Sequence, residues 1–458
     1  MDTSGFRAMR ADFLSLSVKC SNVQTLTLAK PSPKPNATLT LPGDKSITHR
    51  AFLLAAMAKG RTLIVNPNLG LDTQATLRAL RQLGVLVHTT SDGTLVLGRE
   101  ELGDPRAPID CANSGTTMRL LLGMLAGRVD AVLNGDASLR RRPMARVTRP
   151  LNAMGARMTT RSGFPPVRVR RRASQLKPIR YTMVVASAQA KSALLLAALR
   201  ATAPSTIVEP VLTRDHTERM LRAMGAKLLT TGRTIRIWPG ALRALRRMRI
   251  PGDISSAIYL LCAAAATPDS ILQLRDVGIN PTRTAALEVL RQMGADVRIA
   301  RRRDWSGEPV ADLSIRGGAP LRNVTIKAAL VPNLIDEIPA LCALACTARG
   351  VFSVGGASEL RVKESDRITT TVELLCRFGA DARALADGIS IRGGGELRAP
   401  TRVPTHGDHR IGLAAAILAA ATRSSLTIDD SECIATSFPG FAAAWRASLA
   451  QRRSTPPS

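Results

Sequence analysis

Ser46–Lys59 reads SITHRAFLLAAMAK, a hydroxyl and a cation at the start and then small or branched apolar residues with almost no polar face. A helix that is apolar nearly all round belongs inside a protein. The same design returns five times. Gly115 precedes TTMRLLLGMLA, Ser187 precedes AQAKSALLLAALRA, Ser255 precedes SAIYLLCAAAAT, Asp336 opens DEIPALCALACTA and Asp408 precedes HRIGLAAAILAAAT. The interval is about seventy residues, too long for a solenoid unit and suited to one small subdomain made six times. None of these runs has the roughly 18–20 uninterrupted apolar residues that a membrane span needs.

A second repeat interleaves with the first. ATLRALRQLG, RPLNAMGA, RMLRAMGA, EVLRQMGA and LLCRFGA each end an amphipathic helix on a glycine, at Gly84, Gly155, Gly225, Gly294 and Gly379. Glycine takes the left-handed C-cap conformation at little cost. Alternating stretches follow, such as VLVHTT and ADVRIA, and these read as strands. Each unit is therefore a buried helix, a strand or two, an outer helix and more strands, a βαβαββ-like subdomain; FAAAWRASLA is the last outer helix. The fold class is α/β (α+β). Six units around one core would be large, so two lobes of three are expected. PGDKS at 42–46 and PGDISSA at 251–257 open the first and fourth units almost identically. One lobe is expected over 42–250. The other takes 251–450 together with 25–41, with 1–24 as an N-terminal extension and 451–458 as a disordered tail.

Composition narrows the function. The 458 residues carry a net charge of +29, with 45% hydrophobic but only 3% aromatic residues. Nucleic-acid binding would interleave basic residues with stacking aromatics or show a recognisable module, and neither is present. Two readings remain for the charge: a cleft that collects multiply anionic small substrates, and arginine-rich codon usage on a wetted surface. Clusters such as Arg140–Arg142, Arg168–Arg172 and Arg301–Arg303 suit the second. Seven cysteines form no paired framework. Cys342 and Cys346 share a helix face without a nearby His, so buried free thiols in a reducing cytosol are expected and no metal site. The first 35 residues hold no signal-peptide core.

The helix starts carry the chemistry. A helix N-terminus offers free N–H groups and about half a positive charge, and so binds phosphates and carboxylates. LPGDKSITHR places Lys45, Ser46 and Arg50 within about one turn, and NSGTTMR offers Gly115, Thr116 and Arg119. SAQAKS offers Ser187, Gln189 and Lys191; GDHR offers Asp408, His409 and Arg410. The outer helices add Arg142 in GDASLRRRPM, Arg214 in TRDHTER, and Lys363, Glu364, Asp366 and Arg367 in RVKESDR. One such start is an N-cap beside a surface charge. Repeated cationic starts are not, because a capping Ser or Asp needs no neighbouring Lys and Arg. They imply a site for several negative charges, two phosphates or a phosphate and a carboxylate. The fourth start, at Ser255, brings no charged ligand and reads as a cap. GxxxxGK and GxGxxG are absent, so a nucleotide is not indicated. His409 reads as a helix-start hydrogen-bonder, and no Ser–His–Asp arrangement can be drawn.

In this order and at these intervals, LPGDKSITHR, NSGTTMR, GDASLRRRPM, RVKESDR and GDHR resemble 5-enolpyruvylshikimate-3-phosphate synthase, over about 40–445. SAQAKS and IATSFP resemble its class II bacterial branch. The resemblance implies the enolpyruvyl transferase fold: two lobes of three βαβαββ units, an inside-out α/β barrel with helix N-termini directed at the interlobe cleft. It implies transfer of the enolpyruvyl group of phosphoenolpyruvate to the 5-hydroxyl of shikimate 3-phosphate, through a tetrahedral ketal, with no metal or organic cofactor. By motif match, Lys45, Ser46, Arg50, Ser187, Ala188, Gln189, Arg214, Asp336 and Lys363 would hold shikimate 3-phosphate. Lys45, Gly115, Arg142, Gln189, Arg367 and Arg410 would hold phosphoenolpyruvate. Asp336 would take the hydroxyl proton, Glu364 would protonate the methylene carbon, and Lys45 would assist. The cations beside Glu364 should lower its pKa whereas a donor needs it raised; closure and the bound anions are expected to offset them.

Two positions depart from the family pattern: Thr436 stands where many relatives have lysine, and Glu359 where many have asparagine. Neither is assigned to the site. Gly115 leaves room for glyphosate, which resembles phosphoenolpyruvate. The sister transferase acting on UDP-N-acetylglucosamine carries a reactive loop cysteine, and Cys111, just before NSGTTMR, matches no such position. A basic nucleic-acid-binding protein is the rival from another class, supported by charge alone. The expected setting is a cytoplasmic monomer with small-molecule partners only, neither nucleic acid nor membrane.

Overall fold

The computed structural model describes residues 24–32 and 34–449. The expected extension over 1–24, but for its last residue, and the tail at 451–458 lie outside the described residues. The six inner helices are α1 (Lys45–Met57), α2 (Gly115–Leu125), α3 (Ala188–Ala198), α4 (Ile254–Ala265), α5 (Ile338–Ala345) and α6 (His409–Ala421). Every residue of α4 is buried, and so is every residue of α6 but Ala421. Small side chains let these helices touch backbone to backbone: a Cβ on Gly123 of α2 would lie 2.5 Å from Ala193 Cα of α3.

Their starts differ from expectation by up to two residues, for a physical reason. Carboxylates, strong acceptors for orphan helix N–H groups, take the cap at α1, α4 and α6. Asp44 accepts from Ile47 N at 2.8 Å, so α1 begins at Lys45 rather than Ser46. Asp253 accepts from Ser255 N at 2.7 Å and displaces Ser255 as the opener of α4. Asp336 lies in a turn two residues ahead of α5, whose second residue is Pro339. Ser114, Ser187 and Asp408 cap α2, α3 and α6. The five helix-ending glycines all have positive φ, between 82° and 96°.

Five sheets have four strands and one pattern. The first strand runs parallel to the second around an inner helix, and the fourth lies antiparallel between second and third. Two sheets borrow their first strand from afar. Arg247–Arg249 pairs in parallel with Leu63–Val65, and Asn36–Thr40 with Ile271–Arg275. The sixth sheet has three strands, where Leu26–Leu28 joins antiparallel to Leu426–Ile428. The sheets lie outside the inner helices and do not close into a barrel. Two hydrophobic cores result, one drawing on Ile47–Ile250 and the other on Leu28–Leu41 with Ile254–Leu449. The chain crosses between them twice, at the two PGD sequences, where Asp44 N donates to Pro251 O and Asp253 N to Pro42 O. No helix is long and apolar enough to cross a membrane among the described residues.

Candidate active site

All six helix starts reach one cavity of about 310 Å³ between the two cores. Lys45 and Ser46 enter from α1, Gly115 and Thr116 from α2, Ser187, Ala188 and Gln189 from α3, Asp253 and Ser255 from α4, Asp336 ahead of α5, and His409 and Arg410 from α6. Nine cationic side chains line it against five carboxylates, so the empty cavity is positively charged. Low-dielectric walls focus such a field on an anionic ligand.

One guanidinium organises the second-lobe wall. Arg367, buried at the first turn of the helix Arg367–Arg377, donates Nε to Asp408 Oδ2 at 2.8 Å and Nη1 to Asp336 Oδ1 at 3.3 Å. Its Nη2 donates to Glu364 Oε2 at 2.6 Å and to Asp408 Oδ1 at 3.2 Å. Four of its N–H groups are therefore spent on placing two cavity carboxylates and the cap of α6. Arg410 is the opposite case. It is 4% exposed, stacks 5.5 Å over the Tyr259 ring, and its Nε and Nη1 make no hydrogen bond among the described residues. A buried cation with idle donors is unfavourable until an anion arrives.

The first-lobe wall is equally crowded. Arg142 donates to Asn113 Oδ1 at 2.6 Å and Ser138 Oγ at 3.1 Å, while its Nε has no partner. Arg119 donates to Gln189 Oε1 at 2.5 Å, and Gln189 Nε2 donates to Thr116 Oγ1 at 2.8 Å. Burial, then Arg146 and Arg142, pull the Arg119 pKa down, against the opposing charges of Glu359 and Glu364.

Both candidate catalytic carboxylates are ionised. Burial alone would raise Asp336, but Arg214, Lys363, Arg410 and Arg367 outweigh it and hold the carboxyl well below its usual range. Burial likewise favours neutral Glu364, and Arg367, Arg142, His409 and Lys45 overcome that. Lys363 is shifted downward by its own burial. The lobes are tied by these groups: Arg214 Nη2 lies 2.6 Å from Asp336 Oδ2, Arg142 Nη1 3.9 Å from Glu364 Oε1, and Arg146 Nη1 3.2 Å from Glu359 Oε2. Away from the cavity, Asn68 Nδ2 donates to Ser437 O at 2.8 Å.

The structure brings together Lys45, Ser46, Gly115, Arg142, Ser187, Ala188, Gln189, Arg214, Asp336, Lys363, Glu364, Arg367 and Arg410. Arg50 is the exception. Its guanidinium turns inside the first lobe, donating to Thr217 Oγ1 at 2.7 Å, Ser46 O at 2.8 Å and Ser192 Oγ at 2.9 Å, and it does not line the cavity. At i+4 from Ser46 on a helix buried on every side, an arginine finds internal hydroxyls first. Lys191 is also internal, bonded to Glu209 and Glu218 at 3.0 and 2.7 Å. Asp366 caps its own helix. His409 lines the cavity, but its Nε2 makes no hydrogen bond among the described residues.

Glu359 reaches the cavity wall and Thr436 does not. Arg119, Arg146, Glu359 and Arg283 are lining residues that motif matching gave no role. Arg119 was within reach of a spacing argument, one turn after Gly115 on the same helix. Arg283 and Tyr259 carried no local signal. The six described cysteines are free, and Cys111 is buried outside the cavity with its thiol pKa pushed up by burial. Among the described residues no group of three or more His, Cys, Asp or Glu could hold a metal ion.

Comparison with known proteins agrees with this geometry. Residues 30–445 match the family model EPSP synthase (3-phosphoshikimate 1-carboxyvinyltransferase). A 3-phosphoshikimate 1-carboxyvinyltransferase of Desulforudis audaxviator is 48% identical over 408 residues, 88% of this chain and 94% of its own. One from Geobacillus kaustophilus is 46% identical over 420 residues, covering 90% and 97%. A solved EPSP synthase from Acinetobacter baumannii superposes with a TM-score of 0.81 at 41% identity, covering 93% of this chain and 98% of that one. Two lobes of repeated βαβαββ units, their buried helices opening on one cationic cavity, place this chain in the EPSP synthase family.

Proposed function

We propose that the cavity performs the reaction for which these relatives are named. The enolpyruvyl group of phosphoenolpyruvate passes to the 5-hydroxyl of shikimate 3-phosphate, and phosphate leaves. The carrying observation is that six helix starts and nine cations from both lobes meet in one cavity beside two ionised carboxylates. Two substrates that together bring two phosphates and two carboxylates match that excess, and arginine forks suit them.

Shikimate 3-phosphate sits toward the start of α3, on Ser187, Ala188 and Gln189, with Ser46, Lys45, Arg214 and Lys363 around it. Arg50 holds Ser46 O from behind rather than touching the substrate. Phosphoenolpyruvate lies against Gly115, Arg142, Gln189, Arg367 and Arg410, with Lys45 reaching both. Asp336 removes the hydroxyl proton as the oxygen attacks C2 of phosphoenolpyruvate, and Glu364 delivers a proton to C3. In the second half C3 returns a proton to Glu364, and phosphate departs toward Lys45 and the arginines, taking the hydroxyl proton from Asp336. Free thiols throughout the described residues fit a reducing cytoplasm.

The test is phosphate release from the two substrates by wild type, Asp336→Asn and Glu364→Gln. No release by wild type would sink the reaction. Equal release by all three would sink the assigned roles.

A further inference from the structure

The fourth helix start reads in sequence as a cap without a charged ligand. In the structure it is part of a buried cluster of three carboxylates around one guanidinium. The turn between the strand Ile271–Gly278 and the helix Ala285–Gln292 sends Arg283 into the base of the cavity, where it is 2% exposed. Nη1 donates to Asp44 Oδ2 at 3.0 Å and to His216 Nε2 at 3.3 Å, and Nη2 donates to Ser255 Oγ at 2.8 Å. Asp253 Oδ1 and Glu337 Oε1 lie 3.9 and 3.7 Å from Nη2.

Among the described residues, Arg283 is the sole cation within 4.0 Å of Asp44, Asp253 or Glu337. All three carboxylates are buried, and each adjoins working machinery. Asp44 caps α1, whose first residue is Lys45. Asp253 accepts the Lys45 backbone N–H at 3.0 Å from the other lobe. Glu337 follows Asp336 directly and accepts the Ser255 hydroxyl on Oε1, while its Oε2 makes no hydrogen bond among the described residues. One guanidinium is thus common to the starts of α1, α4 and α5, on both sides of the cleft.

We propose that Arg283 is a positioning residue for the transfer step, fixing Lys45 and Asp336 relative to one another across the lobes through Asp44, Asp253 and Glu337. This rests on the roles given to Lys45 and Asp336 above. Three buried carboxylates around one guanidinium leave an excess of negative charge that only a forked cation can spread over three directions. Burial would raise the Asp44 carboxyl, yet Arg283 and His216 bring it to about 2. Burial and Asp44 push Asp253 up. Losing the guanidinium removes a cation that favours ionised Asp253, and the bond to Lys45 N weakens as that carboxyl takes up a proton. The start of α5 moves with Glu337. A shift of about 1 Å in a group next to the chemistry costs on the order of 10²-fold in rate, while anion-binding groups outside this cluster, such as Arg142 and the start of α3, stay in place.

The experiment compares wild type, Arg283→Lys, Arg283→Gln and the double variant Arg283→Gln/Glu337→Gln by phosphate release and thermal unfolding, with both substrates titrated. An inactive wild type would sink the functional reading and with it the roles on which this proposal rests; an active wild type with one of the contrary results below would sink this proposal alone. With wild type active, Arg283→Lys is expected to remain folded. Its kcat should fall about 10²-fold, with KM for each substrate rising by clearly less, about tenfold at most, because Lys45 is one of several groups that hold each anion. The double variant should recover about tenfold in kcat over Arg283→Gln, because one of the uncompensated carboxylates is gone. Three results would overturn the proposal: a Lys variant with wild-type kcat, a double variant no faster than Arg283→Gln, or KM values rising as far as kcat falls. Should Arg283→Gln not fold, Arg283→Lys decides alone. An unfolded Lys variant would make Arg283 a stability residue and overturn the proposal too.

Discussion

Replacing Gly115 by alanine tests the phosphoenolpyruvate half of the cavity with the smallest possible change. Gly115 opens α2, where its φ is not in the left-handed region, so alanine fits the backbone. Its Cβ, however, would sit 2.9 Å from Arg119 Nη1 and 3.5 Å from Arg142 Nη1. Non-bonded carbon prefers about 3.5 Å or more, so Arg119 must retreat by roughly half an ångström. That guanidinium is held 2.5 Å from Gln189 Oε1, and Gln189 is held on Thr116. The retreat therefore spoils a charge-assisted bond and loosens a substrate ligand at once. Loss of one bond to a charged group costs about 1.5–3 kcal/mol. That corresponds to about a 10- to 150-fold rise in KM for phosphoenolpyruvate.

Neither Asp336 nor Glu364 is touched, so kcat should stay within about fivefold of wild type. Helix propensity favours alanine over glycine by about 0.5–1 kcal/mol, and Tm should not fall. Glyphosate at millimolar concentration should inhibit wild type in competition with phosphoenolpyruvate, and the added methyl should raise its inhibition constant. The assay is steady-state phosphate release with each substrate varied, alongside thermal unfolding. A phosphoenolpyruvate KM within twofold of wild type would refute the reasoning. It would mean that Arg119 and Gln189 do not sit against the bound anion.

Asp336→Asn removes the general base and should lower kcat by about 10²–10⁴-fold; a loss under tenfold in single turnover would reject that role. Glu364 is held ionised by cations in the empty cavity, so anions binding to those cations should raise its pKa and draw in a proton. Calorimetry of phosphoenolpyruvate binding in buffers of different ionisation enthalpy should then show proton uptake for wild type but not for Glu364→Gln, and equal uptake by both would reject the donor assignment. His49 and His409 are held well below the usual imidazole range, by burial first and by Lys45 next. Their unfolded forms take up protons below about pH 6.5 and the folded forms do not, so stability is complete above that pH and falls below it by up to about 1.4 kcal/mol per pH unit for each. Denaturant midpoints from pH 7 to 5 should flatten in His49→Gln, and an unchanged slope would contradict it. A Cβ on Gly70 would lie 2.7 Å from the carbonyl oxygens of Ala435 and Thr436, so Gly70→Ala should part the lobes and raise KM for both substrates, with a larger radius of gyration in solution scattering; an unchanged radius would argue against it.

What the sequence disclosed follows from what is local. A polar start, an apolar run and a glycine stop are all written within about fifteen residues, and they yielded six inner helices and five C-caps at the right places. The cavity side chains were legible for the same reason. Lys45, Gly115, Ser187, Asp336 and Arg410 sit within two residues of a helix start, and the family resemblance implied that helix starts face one cleft. Arg50 and Lys191 defeated that logic because distance from a helix start says nothing about direction. On helices buried all round, a cation one turn in meets Thr217 and Ser192, or Glu209 and Glu218, before it meets a cavity. Arg283 escaped for the converse reason. Its partners are 239 residues away at Asp44 and 28 away at Ser255, and nothing near Asn280–Thr284 hints at either.

The repeat also explains why the charges had to be arranged as they are. Six helix N-termini aimed at one point would repel one another through their dipoles. Five of the six are therefore given an acidic or hydroxyl cap, and three of those caps, Asp44, Asp253 and Asp408, are carboxylates. Those carboxylates in turn need cations. Arg283 serves the first two, and Arg367 serves the third together with Asp336 and Glu364. The catalytic pair is thus built on the same arrangement of buried guanidinium and cap that holds the helix starts together. Asp336 and Glu364 differ from the caps in one respect: they face the cavity, so an incoming phosphate or carboxylate can compete for the cations that keep them ionised. Structural ion pairs and reactive ones share their chemistry here and are separated only by access to the ligand.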